Sequence, residues 1–171
     1  MVIASLAYFF LYEPEEDNEV QPDAVLTAKE LSEDWSLFNG TFEGLDAGDT
    51  VVIRDGIKEI EHFGANTTAY GNVSLTIITF TTTDVTIEGF MEGEVPINDI
   101  FGFMMFSGNL TKDYQPGDKV DVELTIANYV VEEKTIELPE WYVDILEAVQ
   151  GNMEYEDIEY PDSSKISHTK E

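Results

Sequence analysis

The sequence contains no cysteine, few basic residues and only two histidines. Without cysteine the chain can form neither a disulfide nor a thiolate-bound zinc or iron–sulfur centre. The two imidazoles, His62 and His168, stand apart from any carboxylate spacing that is typical of a zinc site. Glycine-rich phosphate-binding loops and the G-x-S-x-G nucleophile motif are also missing. The sequence therefore predicts a protein that is not an enzyme, with no catalytic residue and no cofactor.

Positive charge is scarce: 36 acidic residues face 8 basic ones, a formal net charge of −28, and Arg54 is the only arginine. Affinity for nucleic acid normally comes from Lys and Arg side chains that neutralise phosphates, and anionic membrane surfaces attract the same residues. The charge therefore predicts that the protein binds no nucleic acid.

Three interpretations of the acidic excess stay open: simple solvation, adaptation to high salt, and bridging by divalent cations. Calcium is the only metal ion that this composition favours. A D-x-D-x-D-G loop is absent, so any calcium site would be assembled from loop oxygens, and its ligands cannot be identified from spacing. Carboxylate pairs such as Glu92 with Glu94 and Glu132 with Glu133 are expected on the surface of so acidic a chain.

Residues 1–12 form an apolar segment without a charge, and residues 13–24 form an acidic linker. Twelve residues of helix span about 18 Å, less than the ~30 Å hydrocarbon core of a bilayer. The segment is interpreted as the outer part of a membrane anchor, as an element inserted into a protein partner or a neighbouring copy, or as an element packed on its own domain. The first two interpretations predict anchoring or self-association through residues 1–12.

Four N-x-S/T sequons occur where roughly one is expected by chance. Their acceptors are Asn39, Asn66, Asn72 and Asn109. Sequons are used only in exported proteins. Together with the N-terminal segment, they favour an extracellular or cell-surface location with N-glycosylation.

Alternating apolar residues predict a mainly β fold. The expected strands are Thr50–Phe63, with a bulge near Gly56, followed by Val73–Thr81, Val85–Phe90, Phe103–Ser107, Lys119–Val131 and a short edge strand Thr135–Leu138. Helices are expected from Thr27 to Phe38, where Thr27 and Glu30 form a capping box, and from Pro139 to Gln150, with a helical turn near Pro96–Ile100. Trp35 and Trp141 are expected to be buried, and residues 151–171 form an acidic tail expected to be disordered.

Two strands open in the same way, at Gly48–Ile53 and at Gly117–Val122. Between them, Phe106–Thr111 leads into Tyr114–Val120. With its long first strand and mid-strand glycine, this order resembles the OB-fold, in particular small archaeal-type OB-like domains that are exported or membrane-anchored. The resemblance covers about residues 46–128 and implies a five-stranded barrel with flanking short helices, in a domain spanning residues 25–150. A β-sandwich is the alternative.

OB-folds bind oligonucleotides or oligosaccharides on the face of their second and third strands. Here that face is expected to carry hydroxyls and an acid where nucleic-acid binders place cations and stacking rings; these residues are Thr76, Thr79, Thr81, Thr86 and Glu88. Phe80 and Phe90 are expected in the core.

The leading hypothesis is an exported, N-terminally anchored OB-like domain that acts by binding or by structure, without enzymatic activity. The alternative is a repeating subunit of an extracellular filament or surface layer, with residues 1–12 as the inter-subunit element. An intracellular OB-fold that binds nucleic acid is a third hypothesis, which the charge disfavours.

Overall fold

The computed structural model describes residues 21–65 and 72–171, which form a mainly β structure with short helices. The strands are Ala24–Leu26 (β1), Trp35–Ser36 (β2), Thr41–Phe42 (β3), Thr50–Phe63 (β4), Leu75–Phe80 (β5), Phe103–Ser107 (β6), Lys119–Val131 (β7), Lys134–Pro139 (β8) and Ile166–His168 (β9). The helices are Ala28–Asp34 (α1), Ile87–Met91 (α2) and Glu140–Val149 (α3), and single 3₁₀ turns lie at Ile97–Asp99, Tyr155–Asp157 and Ser163–Lys165. The apolar segment 1–12, most of the linker 13–24 and Asn66 lie outside the described residues.

The long strand β4 organises the sheet, whose strand order is β6-β5-β4-β7-β8. Its first half pairs antiparallel with β7, with Val51 opposite Leu124, and its second half pairs antiparallel with β5, with Ile60 opposite Ile78. The register shifts between Ile57 and Glu59, so the expected bulge lies just after Gly56. Strand β1 pairs parallel with β4, while β2 and β3 form a separate hairpin. Each half of β4 therefore has its own neighbours.

The end strands β6 and β8 do not pair with each other, so the described strands form no closed barrel. The C-terminal segment, residues 151–171, contacts both β6 and β7. The Ser107 N–H of β6 donates to the Pro161 carbonyl at 2.9 Å, and β9 pairs with β7 from Val120 to Val122. The mainly β class with flanking short helices is confirmed, and the described strands belong to one seven-stranded sheet and one two-stranded hairpin.

Both Gly-Asp turns precede the predicted strands. Gly48 has φ +99° and Gly117 has φ +94°, a left-handed conformation that glycine adopts without steric cost. In the strands that follow, inward positions alternate with exposed ones, and Val51, Ile53, Val120 and Val122 are buried. The alternation seen in the sequence is the alternation of the two sheet faces.

The strand expected at Val85–Phe90 is wrong, because this stretch forms the helix α2. The Thr86 hydroxyl accepts a hydrogen bond from the Gly89 N–H at 3.0 Å and caps the helix. The Ile87 N–H donates to the Glu59 carboxylate at 2.7 Å. A β-branched run favours a strand locally, but here a cap and a distant carboxylate satisfy the helix's first N–H groups.

Helix α1 begins with the predicted capping box of Thr27 and Glu30 but ends at Asp34 instead of Phe38. Trp35 is extended and starts the β2–β3 hairpin, and its Nε1 donates to the Glu137 carbonyl at 2.9 Å. Gly40 lies in the hairpin turn with φ +67°.

The expectation of a disordered tail at residues 151–171 is also wrong. Ile158, Tyr160 and Ile166 of this segment are buried in the core. The Lys165 ammonium lies 3.0 Å from the Glu123 carboxylate of β7. The acidic composition predicted disorder, but these apolar side chains attach the segment to the sheet.

Of the two tryptophans, Trp141 is buried as expected, at 7% exposure, and Trp35 is half-buried. The Trp35 ring packs edge-on against Phe101 at a centroid distance of 6.0 Å, and Trp141 packs in the same way against Phe103 at 5.8 Å. These rings pack the helical elements and the hairpin against the core.

Candidate functional site

The three described sequon asparagines, Asn39, Asn72 and Asn109, are all exposed and lie in three separate loops. The Asn109 side chain accepts hydrogen bonds from the Thr111 N–H at 3.0 Å and the Thr111 hydroxyl at 2.6 Å. The Asn39 side chain makes no hydrogen bond within the described residues. The backbone N–H of Asn39 donates to Ser36 Oγ. All three acceptors are accessible to modification.

Of the hydroxyls expected to face a ligand, those of Thr76 and Thr79 are buried, while Thr81 is exposed and Thr86 caps α2. Thr76 is fully buried, where its hydroxyl donates to the Gly108 carbonyl at 2.7 Å and accepts from the Leu110 N–H at 3.0 Å. Thr79 is also fully buried and lies 3.4 Å from the Glu59 carboxylate. These threonines satisfy polar groups of the fold. Phe80 is in the core as expected, and Phe90 is partly buried against it.

A buried carboxylate joins three parts of the chain. Asp55 of β4 is 6% exposed and accepts four hydrogen bonds. Two come from backbone N–H groups, Ala28 at the start of α1 (3.1 Å) and Gly56 (2.8 Å). Two come from the hydroxyls of Thr81, at 3.0 Å, and Thr82. We call the side chains of Asp55, Thr81 and Thr82 the Asp55 cluster; it connects α1 and the loop after β5 to the centre of the sheet.

A second buried carboxylate lies nearby. Asp99 accepts from the Lys29 ammonium at 2.7 Å and from the Asp84 N–H at 2.9 Å. Burial alone would raise the pKa of Asp99, but these two donors outweigh it and hold the pKa below its ordinary value. The hydrogen bond to Asp99 raises the pKa of Lys29. This pair connects α1 to the 3₁₀ turn at 97–99.

Side chains at the bulge in β4 also bind the loop after β5 and the start of α2. The Lys58 ammonium donates to the carbonyls of Thr83 (3.0 Å) and Val85 (3.1 Å). Glu59 accepts from the Ile87 N–H. Residues 81–87 are therefore held by carboxylates and an ammonium from β4 and the 97–99 turn, which makes this polar region structural.

A cavity lined by five carboxylates lies between β7, α3 and the C-terminal segment. This cavity, which we call the acidic groove, has a volume of about 360 Å³. Its carboxylates are Glu123, Glu140, Asp144, Glu159 and Asp162, with Lys165 beside them. The Glu159 N–H donates to Asp144 at 3.2 Å, the Ser164 N–H donates to Asp162 at 2.8 Å, and the Ser164 hydrogen bonds hold the pKa of Asp162 low.

Within residues 21–65 and 72–171, no three histidine, aspartate or glutamate side chains converge to hold a metal ion. His62 pairs with the Ser74 hydroxyl at 2.7 Å, and His168 stacks on Tyr114 at a centroid distance of 4.7 Å. Glu132 and Glu133 form the β7–β8 turn, both with positive φ. Neither histidine belongs to a metal-binding group in this part of the chain.

Sequence reasoning missed Asp55, although a signal was present. The inward positions of β4 read Val51, Ile53, Asp55 and Ile57, so an acid occupies a position that the alternation assigns to the core. A carboxylate there needs several donors, and the threonines at 81 and 82 supply two of them. Asp99 carries no comparable signal, because its donors come from residues 70 and 15 positions away.

No helix of the described residues combines the length and the apolar character needed to cross a bilayer. Comparison with protein-family models, with curated proteins and with solved structures finds no match.

Proposed function

We propose that this chain is a non-enzymatic domain displayed at the cell surface, held by its apolar residues 1–12 through the acidic linker, and acting by binding or by structure. The observation that carries the proposal is the way the linker joins the fold. It continues into β1, which pairs with the central strand β4 from Val51 to Ile53. A tether on the N-terminal side thus pulls on the middle of the sheet.

Asp23 strengthens this connection at the end of the linker. Its N–H donates to the Thr50 carbonyl at 2.8 Å, and its carboxylate accepts from the Thr50 N–H at 2.8 Å. The reciprocal pair extends the β1–β4 ladder by one step toward the linker. Such a junction suits a domain that bears load through its N-terminus.

The exposed sequons and the acidic surface support display outside the cell. Asn39, Asn72 and Asn109 are accessible in the folded chain, so sugars attached there would leave the core undisturbed. A surface with so few cations also favours no nucleic-acid partner.

We further propose that the sheet is a variant of the OB barrel. The first half of the long strand β4 pairs with β7 and the second half pairs with β5, as the first strand of a small curled barrel pairs with two different strands. The C-terminal segment bonds to Ser107 of β6 and pairs with Val122 of β7, so it connects strands that a closed barrel would bring together. An experimental structure in which β6 instead packs face to face against β7 as a second sheet would support the sandwich.

The experiment compares three chains purified from membranes and medium of the native host: full length, a deletion of residues 1–12, and a chain with those residues replaced by a Gly/Ser stretch of equal length. The proposal expects membrane association in the first only, with all three monomeric once solubilised. Large assemblies that only full-length protein forms would favour the filament subunit instead. Full-length protein found in the cytosol without glycans would refute surface display.

A further inference from the structure

The β2–β3 hairpin presents an aromatic ring to solvent from a well-fixed position. Phe38 is 91% exposed and Leu37 is 60% exposed. The base of the hairpin is bonded to β8, because Glu137 accepts from Trp35 Nε1 through its carbonyl and from the Phe42 N–H through its carboxylate.

The tip is held as well. The Lys134 ammonium donates to the Phe38 carbonyl at 3.1 Å. Gly40 has no space for a side chain, since a Cβ there would overlap Ile136 Cγ2. A fixed loop thus carries two adjacent large apolar side chains into water, and covering them would remove apolar area from solvent.

Asn39 differs from the asparagines of the other described sequons because it lies next to a large exposed apolar residue, Phe38. Asn109 is followed by the buried Leu110, and its carboxamide is already bonded to Thr111. Asn72 is followed by the partly buried Val73. The Asn39 carboxamide is unbonded within the described residues, and Asn39 Cα lies one step along the backbone, about 3.8 Å, from Phe38 Cα.

We propose that Asn39 carries an N-linked glycan whose first sugars lie over Phe38 and Leu37. This inference rests on the proposed export of the chain. The sugar donor is a lipid-phosphate-linked oligosaccharide: a bond forms between Asn39 Nδ2 and sugar C1, the bond from C1 to the lipid phosphate oxygen breaks, and the Nδ2 proton is released. The apolar C–H face of the first sugar then covers the ring, which removes apolar area from water.

The test uses full-length protein exported by a glycosylating host and solubilised from its membranes, in four forms: wild type, Phe38→Ser, Asn39→Gln and the double substitution. The same four from a host without glycosylation measure the effect of the substitutions alone. Peptide mass spectrometry measures occupancy at each sequon. We expect loss of the Asn39 glycan to lower Tm by about 2–4 °C when Phe38 is present and by much less in the Phe38→Ser background. Ring-current shifts of the sugar protons are expected only in proteins that retain the Phe38 ring.

Asn109→Gln is the matched control. Loss of the Asn109 glycan should change Tm equally with Phe38 present and in the Phe38→Ser background. Equal effects of the Asn39 glycan in both backgrounds would overturn the inference. So would dimerisation of the glycosylated protein that Phe38→Ser abolishes, because a second copy would then cover the ring. In native material, glycans at Asn72 or Asn109 with a bare Asn39 overturn this inference alone, whereas bare asparagines at all four sequons contradict export itself.

Discussion

Removal of the Asp55 carboxylate tests whether the Asp55 cluster holds the fold together. Asp55→Ala takes the acceptor from two backbone N–H groups, those of Ala28 and Gly56, and from two threonine hydroxyls. The hydroxyls can turn toward other acceptors, but the two N–H groups cannot. A buried donor left without a partner costs about 1–3 kcal/mol, so we expect a loss of about 3–5 kcal/mol in the free energy of unfolding.

The loss would be a large part of the roughly 5–15 kcal/mol that is typical of folded domains. Urea unfolding followed by the fluorescence of Trp35 and Trp141 measures it, and a fall in the midpoint at constant m-value identifies a stability effect. Asp55→Asn preserves the volume and one acceptor oxygen but turns its NH₂ toward one of the two N–H groups, so it should cost less than Asp55→Ala. Asp113→Ala, at an exposed aspartate, is the control and should change stability by less than about 0.5 kcal/mol. A cost below about 1 kcal/mol for Asp55→Ala would refute the reasoning.

Further predictions concern the hairpin turn, acid, salt and nucleic acid. Glu132→Asn with Glu133→Gly should stabilise the protein by about 1 kcal/mol, because both residues have positive φ in a two-residue turn that favours Asn-Gly; an unchanged urea midpoint would contradict this. The pKa of Asp99 is lowered in the folded state, so its contribution is complete above the ordinary aspartate value of about 4 and is lost as the pH falls through the lowered pKa. The stability difference between wild type and Asp99→Asn, measured by urea unfolding from about pH 7 downward, should therefore shrink in that range, and a constant difference would show that the charge is irrelevant. Sodium chloride should raise Tm, since screening shortens from ~30 Å at 0.01 M to ~3 Å at 1 M. Calcium chloride at matched ionic strength should raise it further only if loop carboxylates converge on calcium, and equal effects would leave a solvated acidic surface. Fluorescence anisotropy should detect no binding of single- or double-stranded DNA at physiological salt, and a salt-sensitive micromolar affinity would refute that.

The strands β4 and β7 could be predicted from the sequence because their information is local. Apolar residues at alternate positions and a Gly-Asp turn before each strand determine which side chains face inward. The capping box of Thr27 and Glu30 is local in the same sense, since its two halves are three positions apart. The charge of −28 is a property of composition and needed no structure.

Long-range contacts decided the parts where the sequence misled. Residues 85–90 have strand propensity, yet the Glu59 carboxylate and the Thr86 cap stabilise a helix there. The C-terminal segment is acidic enough to read as disordered, yet Ile158 and Tyr160 find a core to enter.

The candidate site divides in the same way between sequence and structure. The sequons are visible in the sequence, but only the folded hairpin reveals that Asn39 stands beside an exposed ring on a fixed loop. Among the described acidic residues, Asp55 and Asp99 are the buried ones, and the chain brings donors to them from as far as 27 and 70 residues away. Local pattern determines which face of a strand is apolar. Which carboxylates are buried depends on where distant N–H, hydroxyl and ammonium groups arrive, and only the tertiary structure brings those groups together.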